Sequence, residues 1–186
     1  MGETLRDLPD GVELRALTPH ADGRGVFLEM YREEWAIGGD LIQWNAVHSA
    51  PNVLRGVHVH ANHVDYLIPV AGKLVLGLYD LRSQSPTSGR SVMLEIDGAK
   101  PKAVSIPIGV CHGFYFPVPS VHVYAVSSYW DGSDEFGCRY DDPGLRLNWP
   151  SVDPVLSEKD RDACSLEEMR GRFLAHWNAH NPGKPL

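Results

Sequence analysis

Two histidines and a carboxylate lie close together in one short segment, at a spacing that could form a catalytic or metal-binding site. His58 and His60 are two residues apart and Asp65 follows them, within the sequence LRGVHVHANHVD. Because side chains alternate along a β-strand, both histidines are expected on one face. A distant segment, PIGVCH, ends in His112. Imidazoles and carboxylates bind first-row transition metals and also act as bases in metal-free sites, so the residue types leave both chemistries open.

The composition is that of an ordinary globular chain. Of 186 residues, 43% are hydrophobic and 22% are charged, which suits one domain over residues 1–186 with a buried core. The net charge of −7 argues against a nucleic-acid partner, which would need a basic face. It does not exclude an anionic small molecule, because a few arginines can make a locally positive pocket.

The lack of a recognisable targeting signal and the spacing of the cysteines predict a cytoplasmic protein. No apolar run approaches the length of a membrane span, and the first residues, MGETLRD, lack the core of a signal peptide. Cys111, Cys138 and Cys164 are odd in number and lack C-x-x-C spacing. We therefore expect a cytoplasmic protein with free thiols and no membrane partner.

Many short apolar runs, separated by 18 glycines and 14 prolines, predict an all-β fold. The alternation of Leu74, Leu76 and Leu78 with other residues is the period-two pattern of a strand. Ten strands are predicted, over residues 11–17, 26–31, 42–48, 54–60, 64–69, 73–80, 91–96, 103–107, 112–117 and 121–128.

Two helices are predicted beside the strands. One is short, over residues 33–37. The other covers residues 165–180, where apolar side chains recur at helical spacing after a Ser-x-x-Glu capping box. The apolar positions are Leu166, Met169, Phe173 and Trp177.

The histidine spacing resembles the two motifs of the cupin superfamily. The first part is His-x-His, four residues, Asp, six residues and Gly, and the second is Pro-x-Gly-x-x-His. The resemblance implies a jelly-roll barrel over about residues 10–150, with both motifs on adjacent strands, and a C-terminal helical tail over about 157–180. The usual carboxylate of that superfamily is Glu, so Asp65 is a shorter match. His63, outside the pattern, is predicted to be solvated.

A wider set of segments resembles the dTDP-4-dehydrorhamnose 3,5-epimerase family. The segments occur in family order and cover about residues 10–162. The resemblance implies a jelly-roll homodimer that acts on a nucleotide-linked 4-keto-6-deoxy sugar without a metal or an organic cofactor. The matching segments are DGRGVFLE, VLRGVH, YDLR with SPT, PIGVCHGF, DDPGL with NWP, and LSEKD.

The resemblance also implies roles for individual residues. Removing a proton beside a ketone requires a base and a group that stabilises the enolate oxygen. His58 matches the base, Asp160 its carboxylate partner, and Tyr124 the acid that returns a proton to the opposite face. Arginine forks suit a diphosphate. The matches to substrate-binding residues are Arg24, Phe27, Glu29, Arg55, His112, Trp130 and Lys159. Structural alternatives stay open: Tyr124 as a core aromatic, and Arg55 or Asp160 as ordinary ion-pair partners.

Three positions depart from the family pattern. His60 stands where members carry Gln or a similar residue, and Trp130 stands where an aromatic hydroxyl follows the acid. Asp65 replaces the lysine assigned to stabilising the C4 oxygen, and a carboxylate there would repel an enolate. Either a protonated His60 supplies the missing positive charge, or His58, His60, Asp65 and His112 bind a divalent transition metal that acts as a Lewis acid.

The sequence therefore predicts an isomerase, a nucleotide-sugar epimerase that works at C3, C5 or both of a dTDP-4-keto-6-deoxy sugar. The alternatives are a metal-dependent cupin enzyme, such as a sugar ketoisomerase, another isomerase or an oxygenase, and a non-catalytic sugar-binding cupin. With a metal bound to His58, proton transfer would pass to Tyr124, His122 or a metal-bound water, and Asp160 would orient a ligand.

Overall fold

A computed structural model describes residues 8–130 and 132–186. In chain order its strands are β1 (Glu13–Ala16), β2 (Pro19–Asp22), β3 (Gly25–Leu28), β4 (Gln43–Ser49), β5 (Val53–His60), β6 (Asp65–Ala71), β7 (Lys73–Asp80), β8 (Ser91–Asp97), β9 (Lys102–Ile106), β10 (Val110–Phe116), β11 (Ser120–Val126) and β12 (Glu135–Gly137). The α-helices are α1 (Glu158–Arg161) and α2 (Leu166–His180), and single 3-10 turns lie at Glu33–Trp35 and Pro143–Leu145.

The strands form two five-stranded antiparallel sheets and one separate hairpin. Sheet one has the order β1-β9-β6-β11-β4, and sheet two has the order β12-β5-β10-β7-β8. The hairpin of β2 and β3 pairs with neither sheet. The all-β class is confirmed, and in residues 8–130 and 132–186 no strand pair joins the two sheets into a closed barrel.

An apolar core fills the space between the sheets. Sheet one contributes Leu67, Val104 and Ile106, and sheet two contributes leucines of β7 together with Phe116. Each of these side chains is almost fully buried, and burying one such side chain stabilises the fold by about 2 kcal/mol. This packing holds the two sheets at a fixed separation.

Strand β7 keeps its predicted bounds but is buried on both faces. Leu74, Leu76 and Leu78 point into the core, while Tyr79 on the other face packs in a second apolar cluster that includes side chains of α2. Gly77 allows the Trp149 ring to approach, because a Cβ at Gly77 would lie 2.6 Å from that ring. Side chains of β7 therefore alternate between two buried faces of the sheet, and not between a buried face and a solvated one.

All ten predicted strands are present, with ends that differ by a few residues. The strands β2 and β12 were not predicted, because β2 has four residues that are all exposed and β12 has only three residues. The predicted helix over 33–37 is reduced to the 3-10 turn Glu33–Trp35.

The C-terminal helix is confirmed, together with its cap. Ser165 is the N-cap of α2, and its hydroxyl accepts a hydrogen bond from the backbone N–H of Glu168 at 3.2 Å. Leu166, Met169 and Phe173 are buried against sheet two. Within residues 8–130 and 132–186, neither helix is long and apolar enough to cross a bilayer.

Candidate active site

A cleft of about 590 Å³ opens between the two sheets. Its walls come from β5, β10 and β12 of sheet two and from β4, β6 and β11 of sheet one. The segment that leads into α1 covers one side through Leu156 and Asp160. The cleft collects most of the residues that the sequence singled out.

The two histidine motifs lie on paired strands, as predicted. His58 on β5 stands opposite His112 on β10, and the register shifts between His112 and Phe114. Gly56 makes this close pairing possible: its φ is +111°, and a Cβ there would lie 2.8 Å from the carbonyl oxygen of His112. The glycine between Arg55 and the first histidine therefore has a steric role.

His58 forms a dyad with Asp160. The Nε2–H of His58 donates to Oδ1 of Asp160 at 2.6 Å. The Asp160 carboxylate is held at the start of α1, where its backbone N–H donates to the hydroxyl of Ser157 at 3.1 Å. Burial would raise the pKa of Asp160, but the hydrogen bond and the charge of His58 lower it below its usual value. The ionised carboxylate orients the imidazole and leaves Nδ1 free to accept a proton.

Glu135 is a cleft residue that the sequence reasoning missed. Its Oε1 lies 3.7 Å from Nδ1 of His58 and forms an ion pair with Lys159. Its Oε2 accepts a hydrogen bond from Nε1 of Trp130 at 2.8 Å. Burial opposes ionisation, but His58 and Lys159 lower the pKa of Glu135. Glu135 follows no motif, and only its pairing through β12 with β5 brings it to the site.

Tyr124 faces the cleft from sheet one. It lies on β11 and is half-buried against the core, and burial raises the pKa of its hydroxyl. Next to it on the same face, His122 is 3% exposed, and burial together with the charge of Arg55 lowers its pKa to about 4. Tyr124 and His58 therefore border one cleft from opposite sheets.

Five buried polar residues form a cluster at the floor of the cleft. Nε2 of His60 lies 3.5 Å and Nε2 of His112 lies 3.7 Å from Oδ2 of Asp65. His63 lies 2.9 Å from Asp134 through Nδ1, and its ring stacks on that of His60 with centroids 4.0 Å apart. We call these residues the buried histidine cluster: His60, His63, Asp65, His112 and Asp134.

The prediction that His63 is solvated was wrong. Its exposed fraction is 2%, because the chain turns inward between β5 and β6 and places the ring beside Asp134, a carboxylate from the segment before β12. Burial opposes protonation of the ring, yet the hydrogen bond and charge of Asp134, together with Asp65, raise the pKa of His63.

The electrostatics of the cluster disfavour a protonated His60 as the replacement for the missing lysine. Burial, followed by the charge of His112, lowers the pKa of His60 well below its usual value, so His60 is neutral rather than a cation. Burial and the charge of His58 lower the pKa of His112 to about 3. Burial raises the pKa of Asp65 to about 7. The positive charge expected from His60 is therefore not available to an enolate.

The predicted four-residue metal set is brought together only in part. Ligand atoms of His60, Asp65 and His112 lie within 4.8 Å of one another, and so do those of His60, His63 and Asp134. His58 belongs to neither group found in residues 8–130 and 132–186, and its Nε2 is hydrogen-bonded to Asp160.

Four of the seven predicted substrate-binding residues line the cleft: Arg55, His112, Trp130 and Lys159. Arg55 is positioned by a hydrogen bond from its Nε to the hydroxyl of Ser49 at 3.2 Å. The other three lie on or next to the separate hairpin, outside the cleft of their own chain. Arg24 pairs with Asp22, Glu29 pairs with Arg32, and Phe27 is 65% exposed.

Comparison with known proteins identifies the family. Residues 7–168 match a model of the family described as dTDP-4-dehydrorhamnose 3,5-epimerase. A dTDP-4-dehydrorhamnose 3-epimerase of Streptomyces niveus is 35% identical over 182 residues, covering 91% of this chain and 88% of the relative. A dTDP-4-dehydrorhamnose 3,5-epimerase of Mycobacterium tuberculosis is 31% identical over 184 residues, covering 92% of this chain and 91% of the relative.

Solved structures agree with the sequence matches. The 4-keto-6-deoxy sugar epimerase NovW from Streptomyces spheroides superposes with a TM-score of 0.81 at 33% identity, covering 89% of this chain and 88% of that one. An epimerase from Legionella pneumophila in complex with dTDP-4-keto-L-rhamnose has a TM-score of 0.80 at 28% identity, covering 88% and 92%. These matches in sequence and in structure lead to one conclusion: the chain belongs to the dTDP-4-dehydrorhamnose 3,5-epimerase family.

Proposed function

We propose that this chain is an epimerase of a dTDP-linked 4-keto-6-deoxy sugar that inverts C3, C5 or both through an enolate. The observation that carries the proposal is the His58–Asp160 dyad in a cleft that also holds Tyr124 and Arg55. The related proteins are named as epimerases of such sugars, which does not favour a ketoisomerase, an oxygenase or a sugar-binding protein without activity.

His58 is the proposed base. With its Nε2–H donating to Asp160, Nδ1 takes the proton from the carbon beside the ketone, and the carboxylate stabilises the imidazolium that forms. The electron pair of the broken C–H bond moves into the C–C bond, and the carbonyl π electrons move to the C4 oxygen. Oε1 of Glu135 lies 3.7 Å from the same Nδ1.

Tyr124 is the proposed acid. It borders the cleft from the sheet opposite to that of His58, so its hydroxyl can deliver a proton to the face of the sugar ring that the base does not reach. Burial keeps this hydroxyl protonated at neutral pH, since it raises the pKa of Tyr124. Protonation from that face gives the inverted carbon.

Arg55 is the proposed diphosphate contact. Its guanidinium is tied by Nε to Ser49, which leaves the terminal nitrogens for two phosphate oxygens. Lys159 is already paired with Glu135, so its role as a phosphate contact requires that this ion pair, exposed only at its Lys159 end, open when the substrate binds.

We further propose a homodimer in which the hairpin of β2 and β3 reaches the neighbouring chain. The hairpin pairs with neither sheet and exposes Val26 (68%) and Phe27 (65%), and Arg24 lies at its turn. Light scattering after size exclusion should give twice the mass of one chain. Phe27→Asp should give the mass of one chain, whereas Val152→Asp, at an exposed apolar residue elsewhere, should not. A cytoplasmic location stays a prediction.

The test of the activity is solvent exchange. Incubation with a dTDP-4-keto-6-deoxy sugar in deuterium oxide should incorporate deuterium at C3, at C5 or at both, as followed by proton NMR. Exchange at C3 alone assigns a 3-epimerase, and exchange at both carbons assigns a 3,5-epimerase. His58→Asn should abolish exchange, and His48→Asn, at an exposed histidine outside the cleft, should not. Absence of exchange at both carbons, or migration of the ketone to C3, contradicts the proposal.

A further inference from the structure

We infer that Cys138 and Cys164 form an intramolecular disulfide when the protein meets an oxidant, and that this bond fastens the segment carrying Asp160 to the sheet that carries His58. Both cysteines are free thiols in the structure. Formation of the bond does not depend on the proposed function, and only its expected effect on solvent exchange rests on that function.

Backbone pairing places the two cysteines side by side. Cys138, directly after β12, and Cys164, between α1 and α2, are partners in a parallel β-bridge. The N–H of Arg139 donates to the carbonyl oxygen of Cys164 at 2.9 Å. Neighbouring strands lie about 4.8 Å apart, and the Cα atoms of disulfide-bonded cysteines are usually about 4.4–6.8 Å apart. The two backbones therefore already stand at the separation that a disulfide requires.

The two side chains pack on the same side of sheet two. Cys138 is fully buried in the second apolar cluster, and Cys164 packs against that cluster while it stays partly exposed. Sγ of Cys164 lies 3.4 Å from the carbonyl oxygen of Gly137, the residue before Cys138. The sulfur of Cys164 is therefore turned toward the strand that holds its partner.

The third cysteine, Cys111, is too far away to compete for this bond. It lies on β10, and β5 separates β10 from β12 in sheet two. Cys138 continues β12, and its N–H donates to the carbonyl oxygen of Val57 on β5 at 3.0 Å. Two strand spacings amount to about 9.6 Å, which exceeds the limit of about 7 Å between the Cα atoms of a disulfide. Cys111 is therefore expected to stay a thiol.

The reaction needs a two-electron oxidant, and a low-molecular-weight disulfide such as oxidised glutathione is the class that suits a partly exposed thiol. The Cys164 thiolate attacks one sulfur of that disulfide, forms a mixed disulfide and releases the first small thiol. Cys138 then attacks the sulfur of Cys164 and displaces the second small thiol. Two protein thiols are oxidised, one small disulfide is reduced, and both thiol protons end on the released thiols.

Closure of the protein disulfide is the slow step. The attacking species is a thiolate, and burial raises the pKa of Cys138 to about 12. Cys164 is the cysteine that an oxidant in solution can reach, because Cys138 has no exposed surface. The mixed disulfide on Cys164 therefore forms first, and its conversion to the cross-link should accelerate as the pH rises.

The bond joins two segments that meet at His58. Asp160 lies four residues before Cys164 in the chain. Gly137 packs against the ring of His58, where an added Cβ would lie 3.1 Å from Cδ2. Closing the loop of residues 138–164 lowers the conformational entropy of the unfolded chain. The oxidised protein should therefore resist unfolding, and its dyad should stay paired under conditions that open the reduced protein.

The test uses the untagged, full-length protein incubated with excess oxidised glutathione. After the remaining thiols are blocked and the protein is digested without reductant, mass spectrometry should find two peptides joined through Cys138 and Cys164. Their mass should be lower by two hydrogen atoms than the sum of the reduced peptides, and dithiothreitol should separate them. The Tm of the oxidised parent should exceed that of the reduced parent by about 5–10 °C.

Three variants serve as controls. Cys111→Ala should form the cross-link as the parent does. Cys164→Ser should form no cross-link and show no rise in Tm. Cys138→Ala should keep a glutathione adduct on Cys164, because no second sulfur displaces it. Circular dichroism checks the fold of each variant, and Cys164→Ser, at a partly exposed position, keeps the test decisive if the change at the buried cysteine prevents folding.

The outcomes separate this inference from the proposed function. A glutathione adduct on Cys164 of the parent without a cross-link overturns the inference, and so does a cross-link through Cys111 or a protein that is not oxidised at all. A cross-link without a rise in Tm overturns the fastening role. In urea that halves solvent exchange by the reduced parent, the cross-linked protein should keep its full rate. If neither form exchanges in the absence of urea, the proposed function fails while the cross-link stands.

Discussion

Nε2 of His58 lies 2.6 Å from Oδ1 of Asp160, although 102 residues separate them in the chain. The imidazole comes from β5, the strand next to the edge strand β12 of sheet two, and the carboxylate comes from α1, the first α-helix after the strands. The segment before α1 must therefore pack over the cleft before Asp160 can form a hydrogen bond with His58, the proposed base.

Asp160→Asn should lower kcat/KM by about 100-fold or more, with a small change in KM. The amide has nearly the same shape but no charge, so it does not stabilise the imidazolium of His58. Deuterium incorporation into a dTDP-4-keto-6-deoxy sugar measures the rate. Asp162→Asn, two residues further on and exposed, is the matched control and should retain the parental rate. An unchanged rate for Asp160→Asn would remove Asp160 from the mechanism.

Tyr124→Phe should separate exchange from inversion. His58 can still remove a proton and return one to the same face, so solvent deuterium should enter the substrate while net epimerisation falls by about 100-fold. Product analysis by NMR reads both quantities in one sample. Tyr115→Phe removes a hydroxyl that donates to Asn52 outside the cleft, and should leave both rates unchanged. Equal loss of exchange and inversion in Tyr124→Phe would show that this residue is not the acid alone.

Arg55→Ala should weaken the binding of dTDP by about 10- to 100-fold, the range for lost hydrogen bonds to a charged group. The maximal rate should change less, since the guanidinium is assigned to the diphosphate and not to the reacting carbons. Titration calorimetry with dTDP measures the affinity. Arg172→Ala, on the exposed side of α2, provides the control for loss of one positive charge. Identical affinities in the two variants would refute the assignment.

Asp80→Ala should lower the free energy of unfolding by about 3 kcal/mol at neutral pH. The substitution removes a buried carboxylate that accepts hydrogen bonds from Arg82, Ser85 and Thr87, and these donors are then left without an acceptor. Burial would raise the pKa of Asp80, but these partners lower it below 3.8. A group with a lowered pKa stabilises the fold above its unfolded pKa, and the effect is lost as the pH falls through the folded value.

Urea unfolding of the parent and Asp80→Ala at several pH values tests this linkage. The difference in unfolding free energy should be constant above about pH 5 and should shrink below pH 4. Asp97→Ala, at an exposed turn, should show a small difference. A difference for Asp80→Ala that does not change down to pH 3 would mean that the ionised carboxylate is not what stabilises this turn.

The strands and the C-terminal helix could be predicted well from the sequence, because they are determined by patterns of neighbouring residues. Apolar runs and turn residues located ten strands, and a Ser-x-x-Glu cap located the start of α2. The pairing of His58 with His112 followed from motif spacing in a known superfamily. The hairpin strand β2 escaped prediction because it has only four residues and buries none of them.

The parts of the site that escaped prediction depend on contacts between distant segments. His63 is buried because Asp134, more than 70 residues later, returns to it. Glu135 reaches His58 only through the pairing of β12 with β5. The neutral state of His60 is set by burial among other histidines, and no pattern of neighbouring residues reports it.

The separation of His58 and Asp160 along the chain also sets the order of events during biosynthesis. The strands that pair around the cleft, such as β4 with β11 and β5 with β10, are themselves far apart in sequence, and such pairings form slowly. A ribosome releases His58 about a hundred residues before its carboxylate partner. A nascent chain therefore holds His58 without its carboxylate partner until α1 has emerged, and in a refolding experiment the proposed activity is expected to return only once α1 has packed beside β5.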